Sequence, residues 1–508
     1  MRREHLAGRH RRIWGLTLAA FVAVAGSVQP ASSQPVPLQG LDEYIIAAMQ
    51  AWEVPGLAVA VVRNDSVIYS RGFGVRQHGT TDPVDEHTLF PIASTTKAMT
   101  TAALGTLVDE DRLDWDDAVA DHLPWFRLAD PYVSDALTVR DLLTHRAGLS
   151  RSDNLWIAAP YQREEVLQRA RHLPIADFRG GYGYNNIMYI AAGELAGAVA
   201  GMSWDDLLEQ RLFRPLGMTR STTRAAVVDG QDNVAVSHTK PGGVITAMAR
   251  RNYDNIGGAG AAWSTAHDMA RWLRLHLGDG TVDGRRLLEP STLAELHTPQ
   301  VVIRMDTVAR RMFPATHFRA YGLGWNLQDY HGRKMVHHSG SINYTRTQIG
   351  MIPEEGIGVV VMANLSTSNA QVAIMYRVLD ALLGLSERDW TAEYLELTER
   401  SEAATARQAA QVEATRVAGT QPSLAVEAYA GTYRHPVFGD VVIGVEQGRL
   451  VLRYAPEYVA DLEHWHHDTF RGTWRSTGFG TAFVSFALDS RARPATLELE
   501  GFGVFRRQ

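Results

Sequence analysis

Apolar and polar positions recur with different periods along the chain, and each period predicts a different kind of element. Two apolar, β-branched runs at residues 56–62 and 67–72 flank polar residues 63–66, which predicts a β-hairpin. Residues 95–108 predict a helix, and residues 109–215 are mainly helical in pattern, with breaks at prolines and glycines. A last helix is predicted over 369–383. Antiparallel strands are predicted before it at 321–326, 334–338, 347–351 and 356–363.

This order of elements predicts the fold class of the first 385 residues. An early hairpin, a long helical insertion and returning strands are typical of an α/β (α+β) domain, in which an antiparallel sheet is flanked by helices. A site is expected where the insertion meets the sheet. We therefore assign residues 34–385 to one domain with a large helical insertion.

The pattern changes after residue 385. Residues 390–416 are rich in Ala, Glu and Arg and hold few large apolar residues, which predicts a partly exposed connector helix within 386–420. Short alternating runs separated by Gly, Asp and Pro turns follow the break at 419–423, and they predict an antiparallel barrel or sandwich over 421–508. The runs are 429–433, 440–446, 449–454, 461–465, 469–474, 481–488 and 496–505.

The first 33 residues have the pattern of a signal peptide. Five arginines precede an apolar run at 13–28, and small residues follow up to an expected cut near Ser33. The alternative is a membrane anchor, but the run is shorter than the ~20 residues that span a bilayer. The pair Arg11-Arg12 faintly resembles a twin-arginine signal. The expected location is periplasmic or secreted, without a stable membrane anchor.

Composition narrows the possible chemistry. Cysteine is absent, which excludes disulfides, thiolate metal sites and a cysteine nucleophile. The formal net charge is −6, and the predicted signal peptide carries five arginines and one glutamate, so its removal leaves about −10. A charge of this sign argues against nucleic acid as a partner.

Ser94-Thr95-Thr96-Lys97 is the first candidate for catalysis. Only three of the 50 lysines and arginines are lysine, namely Lys97, Lys240 and Lys334. A guanidinium does not lose its proton in proteins, whereas a desolvated ammonium can become a neutral base. In a helix, Ser94 and Lys97 would share one face. The spacing therefore suggests a serine nucleophile with a lysine base.

Further motifs follow at suitable distances, and together they carry a family resemblance. Tyr184-Asn185-Asn186 offers a phenol and a carboxamide two residues apart, and His338-Ser339-Gly340 ends a predicted strand. The order Ser-x-x-Lys, Tyr-x-Asn and x-x-Gly resembles the penicillin-recognising serine hydrolases, in the branch of class C β-lactamases, D-stereospecific peptidases and esterases. Segments 142–149, 214–218 and 257–260, followed by 264–268, resemble other stretches of that branch.

The resemblance implies a β-lactamase/transpeptidase-like fold for residues of about 40–385. Ser94 is then the nucleophile, Lys97 its base and Tyr184 the proton shuttle, with Tyr182 and Tyr189 as neighbouring competitors. Asn186 would bind a substrate carbonyl and orient Lys97, although it could instead form a turn. By resemblance, the oxyanion hole consists of the backbone N–H groups of Ser94 and Ser341, beside Gly340. The C-terminal segment resembles the lipocalin-like barrel domain of some of these hydrolases.

One departure from the family pattern concerns His338. The β-lactamases carry Lys-Thr-Gly at this motif, where the lysine meets the substrate carboxylate. A neutral imidazole would bind that carboxylate weakly. His338 could order a carboxylate, join the proton relay or simply pack beside the site. The motif His-x-Gly at this position resembles that of the D-aminopeptidases and an archaeal carboxypeptidase of the family more than that of the β-lactamases.

The resulting prediction is an exported serine hydrolase that forms an acyl-enzyme through Ser94, without metal or organic cofactor. Its partner would be a small peptide, amide or ester. Peptides with D-residues, such as cell-wall fragments, rank first, ahead of carboxyl esters and β-lactams. A non-catalytic acyl-binding or sensor protein is the alternative from another class. The C-terminal domain is expected to restrict the substrate entrance or to mediate self-association, and not to complete the active site.

Other histidines are expected to be structural. His145 lies far from the matched catalytic positions in the sequence. His464, His466 and His467 invite interpretation as a metal site, since alternate strand residues share a face, but no supporting constellation of ligands occurs elsewhere.

Overall fold

An eight-stranded antiparallel sheet forms the centre of the N-terminal domain in the computed structural model, which describes residues 38–508. The predicted signal peptide lies outside the described residues. The strand order is β2-β1-β14-β13-β12-β11-β10-β9. Strands of this domain are β1 Gly56–Arg63, β2 Ser66–Gly74, β3 Phe90–Pro91, β4 Ser237–Thr239, β5 Thr246–Met248, β6 Trp263–Ser264, β7 Thr281–Val282, β8 Arg285–Arg286, β9 Val301–Ile303, β10 Arg319–Tyr321, β11 Asn326–Tyr330, β12 Arg333–Ile342, β13 Thr345–Ile352 and β14 Ile357–Ala363.

Helices cover both faces of the sheet. The alternation of side chains along β1 separates two apolar cores: Ala58, Ala60 and Val62 contribute to one, and the residues between them contribute to the other. The α-helices are α1 Leu41–Trp52, α2 Thr96–Val108, α3 Val119–His122, α4 Pro131–Ala136, α5 Val139–Leu143, α6 Arg163–Ala170, α7 Asn186–Ala200, α8 Trp204–Leu208, α9 Arg214–Leu216, α10 Ala225–Asp229, α11 Ala266–Leu277, α12 Pro290–Leu296, α13 Thr307–Met312, α14 Ala370–Leu383 and α15 Trp390–Ala414.

The two cores place different helices on the two faces. One core contains α2, α7 and α11, and the other contains α1 and α14. β1 and β14 are interior strands near one edge of the sheet, and they are buried along nearly their whole length because helices cover both of their faces. The predicted antiparallel sheet flanked by helices is confirmed, and the predicted helical insertion supplies α3 to α9 between β3 and β4.

Two predicted strands are wrong in their limits. The predicted strand 321–326 is instead mainly the turn between two strands, since β10 ends at Tyr321 and β11 begins at Asn326, and the chain turns at Gly324, whose φ is 86°. Only a glycine adopts this left-handed conformation without steric strain. The predicted strand 334–338 continues to Ile342. As a result, the whole His338 motif lies within β12.

A closed antiparallel barrel of eight strands follows the exposed helix α15, in which Trp390 is the buried residue. Of the two predicted alternatives, the barrel is confirmed. The predicted run 496–505 is again two strands, separated by a turn that contains Gly501. The barrel strands are β15 Gly431–His435, β16 Gly439–Glu446, β17 Arg449–Ala455, β18 Tyr458–His466, β19 Thr469–Trp474, β20 Thr481–Leu488, β21 Pro494–Leu499 and β22 Gly503–Arg507.

The barrel packs against the N-terminal domain, and three of the hydrogen bonds between them involve two loops of that domain. Tyr161 Oη donates a hydrogen bond to Phe438 O at 2.6 Å, and Asn154 Nδ2 donates to Gly501 O at 2.9 Å. At the turn between β12 and β13, Tyr344 Oη donates to Thr477 O at 3.0 Å. Both loops border the cavity described below, so the barrel supports the rim of that cavity.

Among residues 38–508, no single helix has the length and apolar composition to cross a membrane. The pair Asn186–Ala200 and Trp204–Leu216, bent by 76°, meets those two criteria only when taken together.

Candidate active site

Ser94 lies in a tight 3₁₀ turn, Ala93–Thr95, directly before α2. The preceding residue, Ala93, is buried and has a φ of 49°, in the left-handed region that a residue with a Cβ rarely adopts. Such strained residues persist where the surrounding structure holds them, often at functional sites. The turn places the Ser94 hydroxyl in a cavity at the start of the helix.

Lys97 is fully buried, and its Nζ has three partners. It lies 2.8 Å from Asn186 Oδ1, 2.7 Å from Ala259 O and 3.1 Å from Ser94 Oγ. The two carbonyl oxygens can only accept hydrogen bonds. A neutral amine has two N–H groups for these oxygens, and its lone pair then faces the Ser94 hydroxyl. This geometry suits a base that removes the serine proton.

Burial also lowers the pKa of Lys97 well below its ordinary value, because the ammonium loses its hydration. The nearby carboxylate of Asp153 opposes this shift, and the Arg151 guanidinium reinforces it. Burial is the largest of the three effects, so the amine is held toward its neutral form.

Tyr184 is the tyrosine that contacts the serine. Its Oη donates to Ser94 Oγ at 2.8 Å, and burial raises the pKa of this phenol, so it stays protonated at neutral pH. Tyr189 donates instead to Leu143 O, and Tyr182 lies elsewhere on the cavity wall. The arrangement leaves Ser94 Oγ between a phenol that donates and an amine that can accept.

Asn186 begins α7, and its amide connects Lys97 to a carboxylate that sequence analysis missed. Its Nδ2 donates to Asp153 Oδ1 at 2.9 Å while its Oδ1 accepts from Lys97. Asn185 is the helix cap, because its side chain accepts from Met188 N. The alternative interpretation of Asn186 as a turn former thus applies to its neighbour. Asp153 belongs to none of the recognised motifs, and no sequence signal identified it.

The Gly257–Gly260 loop supplies the other acceptor of Lys97, the carbonyl of Ala259. A Cβ at Gly258 would lie 2.6 Å from Tyr189 O, which is too close for any side chain. The loop therefore needs glycine to come close to α2 and α7. The Gly-Gly sequence, noted above as part of the family resemblance, is the sequence feature that indicated this contact.

β12 passes directly beside the nucleophile turn. A Cβ at Gly340 would lie 2.2 Å from Ile92 O and 3.1 Å from Ala93 Cβ, so only glycine permits this approach. Ser341 follows, pairs with Arg346 of β13 and lines the same cavity as Ser94. The structure thus brings both predicted oxyanion-hole residues to one cavity.

His338 is buried with both ring nitrogens engaged by the protein. Nδ1 lies 2.7 Å from Ser339 O, which can only accept, so Nδ1 carries the proton. Nε2 lies 3.0 Å from Tyr321 Oη, whose hydroxyl can donate to it. Burial lowers the pKa of His338 to about 3. His338 is therefore a neutral group without a free N–H for a substrate carboxylate, and of its three predicted roles the packing role fits this geometry.

His145 corrects the expectation that it lies far from the site. Its ring centroid is 4.3 Å from that of Tyr184 and 4.6 Å from that of Tyr321. Its Nδ1 accepts from the backbone N–H of Asn185 at 3.1 Å. Burial lowers the pKa of His145 well below its ordinary value, so the ring is neutral. Sequence distance was misleading because the turn after α5 folds back beneath Tyr184.

The three barrel histidines considered as a metal site, His464, His466 and His467, do not converge on one point. His464 contacts its own hairpin through His467 O, and His466 accepts from Val417 N. Within residues 38–508, no cluster of three or more His, Asp or Glu side chains has the geometry to hold a metal ion.

One cavity of about 610 Å³ contains Ser94, Tyr184, Asn186 and Ser341. Its described lining comes from the N-terminal domain and α15, and none of these residues belongs to the barrel. A cavity of this size accommodates a small ligand such as a short peptide. The arrangement within it can perform acyl transfer to a serine.

Comparison with known proteins agrees with this chemistry. An unguisins hydrolase from Aspergillus violaceofuscus is 29% identical over 91% of this chain and 88% of its own length. A penicillin-binding protein 4 from Amycolatopsis lactamdurans is 29% identical over 64% and 85%. A D-aminopeptidase from Brucella anthropi is 26% identical over 69% and 63%.

Solved structures share the fold. The octameric penicillin-binding protein homologue from Pyrococcus abyssi has a TM-score of 0.63 and 22% identity, covering 92% of this chain and 100% of its own. SurE solved with D-Leu has a TM-score of 0.55 and 20% identity, covering 94% and 100%.

Two families match successive parts of the sequence. Residues 415–506 match a family described as a domain of unknown function. Residues 41–383 match the family described as Beta-lactamase, and this match spans more than half of the chain. The chain, a serine hydrolase by its relatives, therefore belongs to the Beta-lactamase family.

Proposed function

We propose that this serine hydrolase is exported and cleaves small peptides that contain D-residues, through an acyl-enzyme on Ser94. The observation that carries the proposal is the environment of Lys97. Its buried amine has two carbonyl acceptors and faces the serine hydroxyl, as a neutral general base requires.

In the proposed acylation step, the Ser94 proton moves to Lys97 Nζ as Oγ attacks the substrate carbonyl carbon. The negative charge on the carbonyl oxygen would be stabilised by the backbone N–H groups of Ser94 and Ser341. Tyr184 donates its phenolic proton to the leaving nitrogen and receives one from Lys97. The C–N bond breaks, the amine leaves, and Ser94 carries the acyl ester.

In deacylation, a water molecule attacks the ester carbonyl and gives a proton to the same lysine and tyrosine pair. Collapse of the second intermediate breaks the ester bond and returns a proton to Ser94 Oγ. Asn186 would keep Lys97 aligned in both steps, because its amide is anchored on Asp153. Lys97 and Tyr184, which exchange protons in both steps, are both already in contact with Ser94 Oγ.

Peptide substrates are favoured by two observations. Relatives that match large parts of this chain are named as an unguisins hydrolase and a D-aminopeptidase. At the position where family β-lactamases carry lysine, this chain has a neutral His338 with both nitrogens engaged. β-Lactams therefore rank below peptides and carboxyl esters.

Export is supported by the basic and apolar pattern of residues 1–33. We expect protein expressed with its own N-terminus in a Gram-negative host to be recovered from the periplasm, with a new N-terminus near residue 34. Recovery in the cytoplasm at full length would contradict this expectation.

The central experiment tests the nucleophile and the base together. Ser94→Ala should abolish turnover and labelling by a fluorophosphonate. Lys97→Arg keeps the charge but removes the base, so we expect a loss in kcat/KM of at least about 100-fold. Lys334→Arg, at an exposed lysine on the same sheet, is the matched control and should retain full activity.

Substrates should be compared as D- and L-amino-acid amides, short acyl esters and a chromogenic cephalosporin. Near-native turnover by Lys97→Arg would show that Lys97 is not the base. A single burst of product without turnover on every substrate would instead favour a non-catalytic acyl-binding protein.

A further inference from the structure

The cavity that contains Ser94 extends around β12 to the other face of the sheet. Side chains alternate along a strand, so His337, Ser339 and Ser341 lie on the face opposite His338. Their partners on β13 include Gln348 and Arg346. Helix α14 covers this face, and residues of α13, α14 and α15 close the space. We call this part of the cavity the β12–α14 recess; it is lined by Phe313, Arg319, His337, Arg346, Gln371, Tyr376 and Tyr394.

Two arginines in the recess lack a carboxylate partner. Within residues 38–508, no Asp or Glu oxygen lies within 4.0 Å of the side-chain nitrogens of Arg319 or Arg346, whereas Arg151 on the same cavity wall pairs with Asp153. In that part of the chain, the Arg346 side chain has one hydrogen bond, from Nε to Ser366 O at 2.7 Å. Burial lowers the pKa of Arg346 with no opposing anion. An unpaired, partly buried guanidinium is energetically unfavourable unless a ligand supplies the missing anionic partner.

Buried polar atoms without partners lie in the same recess. His337 is 8% exposed and Gln371 3% exposed, yet His337 Nε2 and Gln371 Oε1 have no hydrogen-bond partner among the described residues. Buried polar groups are nearly always paired. Burial lowers the pKa of His337 to about 3, with a further contribution from Arg319, so its ring is neutral and can offer one N–H. The two guanidinium groups and the imidazole N–H are donors suited to an anion, whereas Gln371 Oε1 is an acceptor and needs a donor from a ligand.

We propose that the β12–α14 recess binds a carboxylate of the substrate, with Arg346 as the principal partner and Arg319 as the second. A planar guanidinium matches a carboxylate through two parallel hydrogen bonds. The aromatic rings of Phe313, Tyr376 and Tyr394 would contact the apolar part of the residue that carries the carboxylate. The inference rests on the proposed peptidase function and specifies its substrates as peptides with a free terminal or side-chain carboxylate.

The test measures binding to full-length Ser94→Ala protein by calorimetry, so that no turnover is needed. The first probes are N-acetyl-D-alanyl-D-phenylalanine and its C-terminal amide. We expect the acid to bind about 10- to 100-fold more tightly than the amide, as is usual for a hydrogen-bonded charged group. A third probe, N-acetyl-D-glutamyl-D-phenylalanine amide, distinguishes a side-chain carboxylate from a terminal one.

Arg346→Gln, made in the Ser94→Ala protein, should remove the difference between acid and amide, and Arg346→Lys should restore part of it. Arg333→Gln is the matched control, because Arg333 lies on β12 but pairs with exposed Glu355 outside the cavity. Melting curves verify that each variant is folded. Arg319→Gln provides an independent variant if Arg346→Gln does not fold.

Equal binding of all three peptides to the Ser94→Ala protein, or no binding of any of them, would overturn the proposal. Neither result requires a variant of Arg346 or Arg319. A preference for acids that survives both Arg346→Gln and Arg319→Gln would overturn it as well. The outcome is separable from that of the proposed function. If the Ser94→Ala protein prefers acids but the wild-type protein hydrolyses none of the peptides, the carboxylate-binding proposal stands and the proposed peptidase function is rejected.

Discussion

Lys97 shows why single residues in this protein are difficult to replace by similar ones. An arginine would keep a positive charge and could never supply the lone pair that faces Ser94. The fully buried amine has two carbonyl acceptors, and no carboxylate of residues 38–508 contacts it. Asp153 contacts Asn186 and acts on Lys97 through the electrostatic effect of its negative charge. This charge raises the pKa of Lys97, whereas burial lowers it.

The rise of kcat/KM on the acidic side of the pH profile (the acid limb) should therefore reflect the loss of the proton from Lys97. The base must be neutral, so activity rises as pH increases through the lowered pKa of Lys97 and reaches a plateau above it. Asp153→Asn removes the carboxylate that raises this pKa, and the limb should move to lower pH. Arg151→Gln removes a cation that lowers it, and the limb should move to higher pH.

The two opposite shifts are measured from pH profiles of kcat/KM with one amide substrate. His338 is a control for the assignment, since burial lowers its pKa to about 3 and it does not titrate in the neutral range. Shifts of equal sign in the two variants would show that the limb belongs to another group.

At the same scale, His338 predicts weak β-lactamase activity. The resemblance places the β-lactam carboxylate beside residue 338, where the imidazole has no free N–H. The proposed arginine recess lies around the strand, on the opposite face. We expect kcat/KM for a chromogenic cephalosporin to be at least about 100-fold below that for the best amide, about the loss that one missing electrostatic donor causes. Comparable values would reverse this ranking.

At the scale of elements, β12 contributes residues to several parts of the site. It contributes His338 to one face, His337 to the other and Gly340 to the contact with the nucleophile turn. The strand can approach Ala93 only because residue 340 has no side chain. The position of β12 relative to α2 therefore determines the distance between the two predicted oxyanion donors.

Gly340→Ala tests this contact. Its Cβ would lie 2.2 Å from Ile92 O, a backbone atom that cannot rotate away, so β12 and the nucleophile turn must separate. We expect fluorophosphonate labelling to slow by about 100-fold, as is common for displacements near 1 Å. Gly181→Ala is the control, since a Cβ there meets no heavy atom of the described residues within 4 Å. Unchanged labelling in a folded Gly340→Ala variant would show that the close approach is not needed.

Sequence reasoning located the elements that carry motifs and missed those that reach the site through packing. Ser94, Lys97, Tyr184 and Asn186 occur in recognisable spacings, and the structure brings their side chains together. Asp153 and His145 contact Asn186 and Tyr184 from the helical insertion, and their contacts depend on tertiary folding alone. The strand limits near residue 324 were missed because a single glycine turn separates two runs that are continuous in hydrophobicity.

At the scale of the whole molecule, the barrel touches the hydrolase domain next to the site without lining the described cavity. Its contacts include the loop that follows Asp153 and the turn after Ser341. Arg251 strengthens the second contact by pairing with Glu457 and donating to Ser476 Oγ at 3.1 Å. The barrel can thus hold both rims of the cavity while the chemistry stays in one domain.

Removal of the barrel should separate these two tasks. A chain cut within residues 419–423 keeps every contact of Ser94 and Lys97 given above, so we expect it to remain labelled by a fluorophosphonate. The rims would lose their support, and the preference for substrate size or the mass of the protein in solution should change. Arg251→Ala in the full-length chain is a milder variant and should alter substrate size preference in the same direction. A folded truncation that cannot be labelled would show that the barrel completes the catalytic machinery.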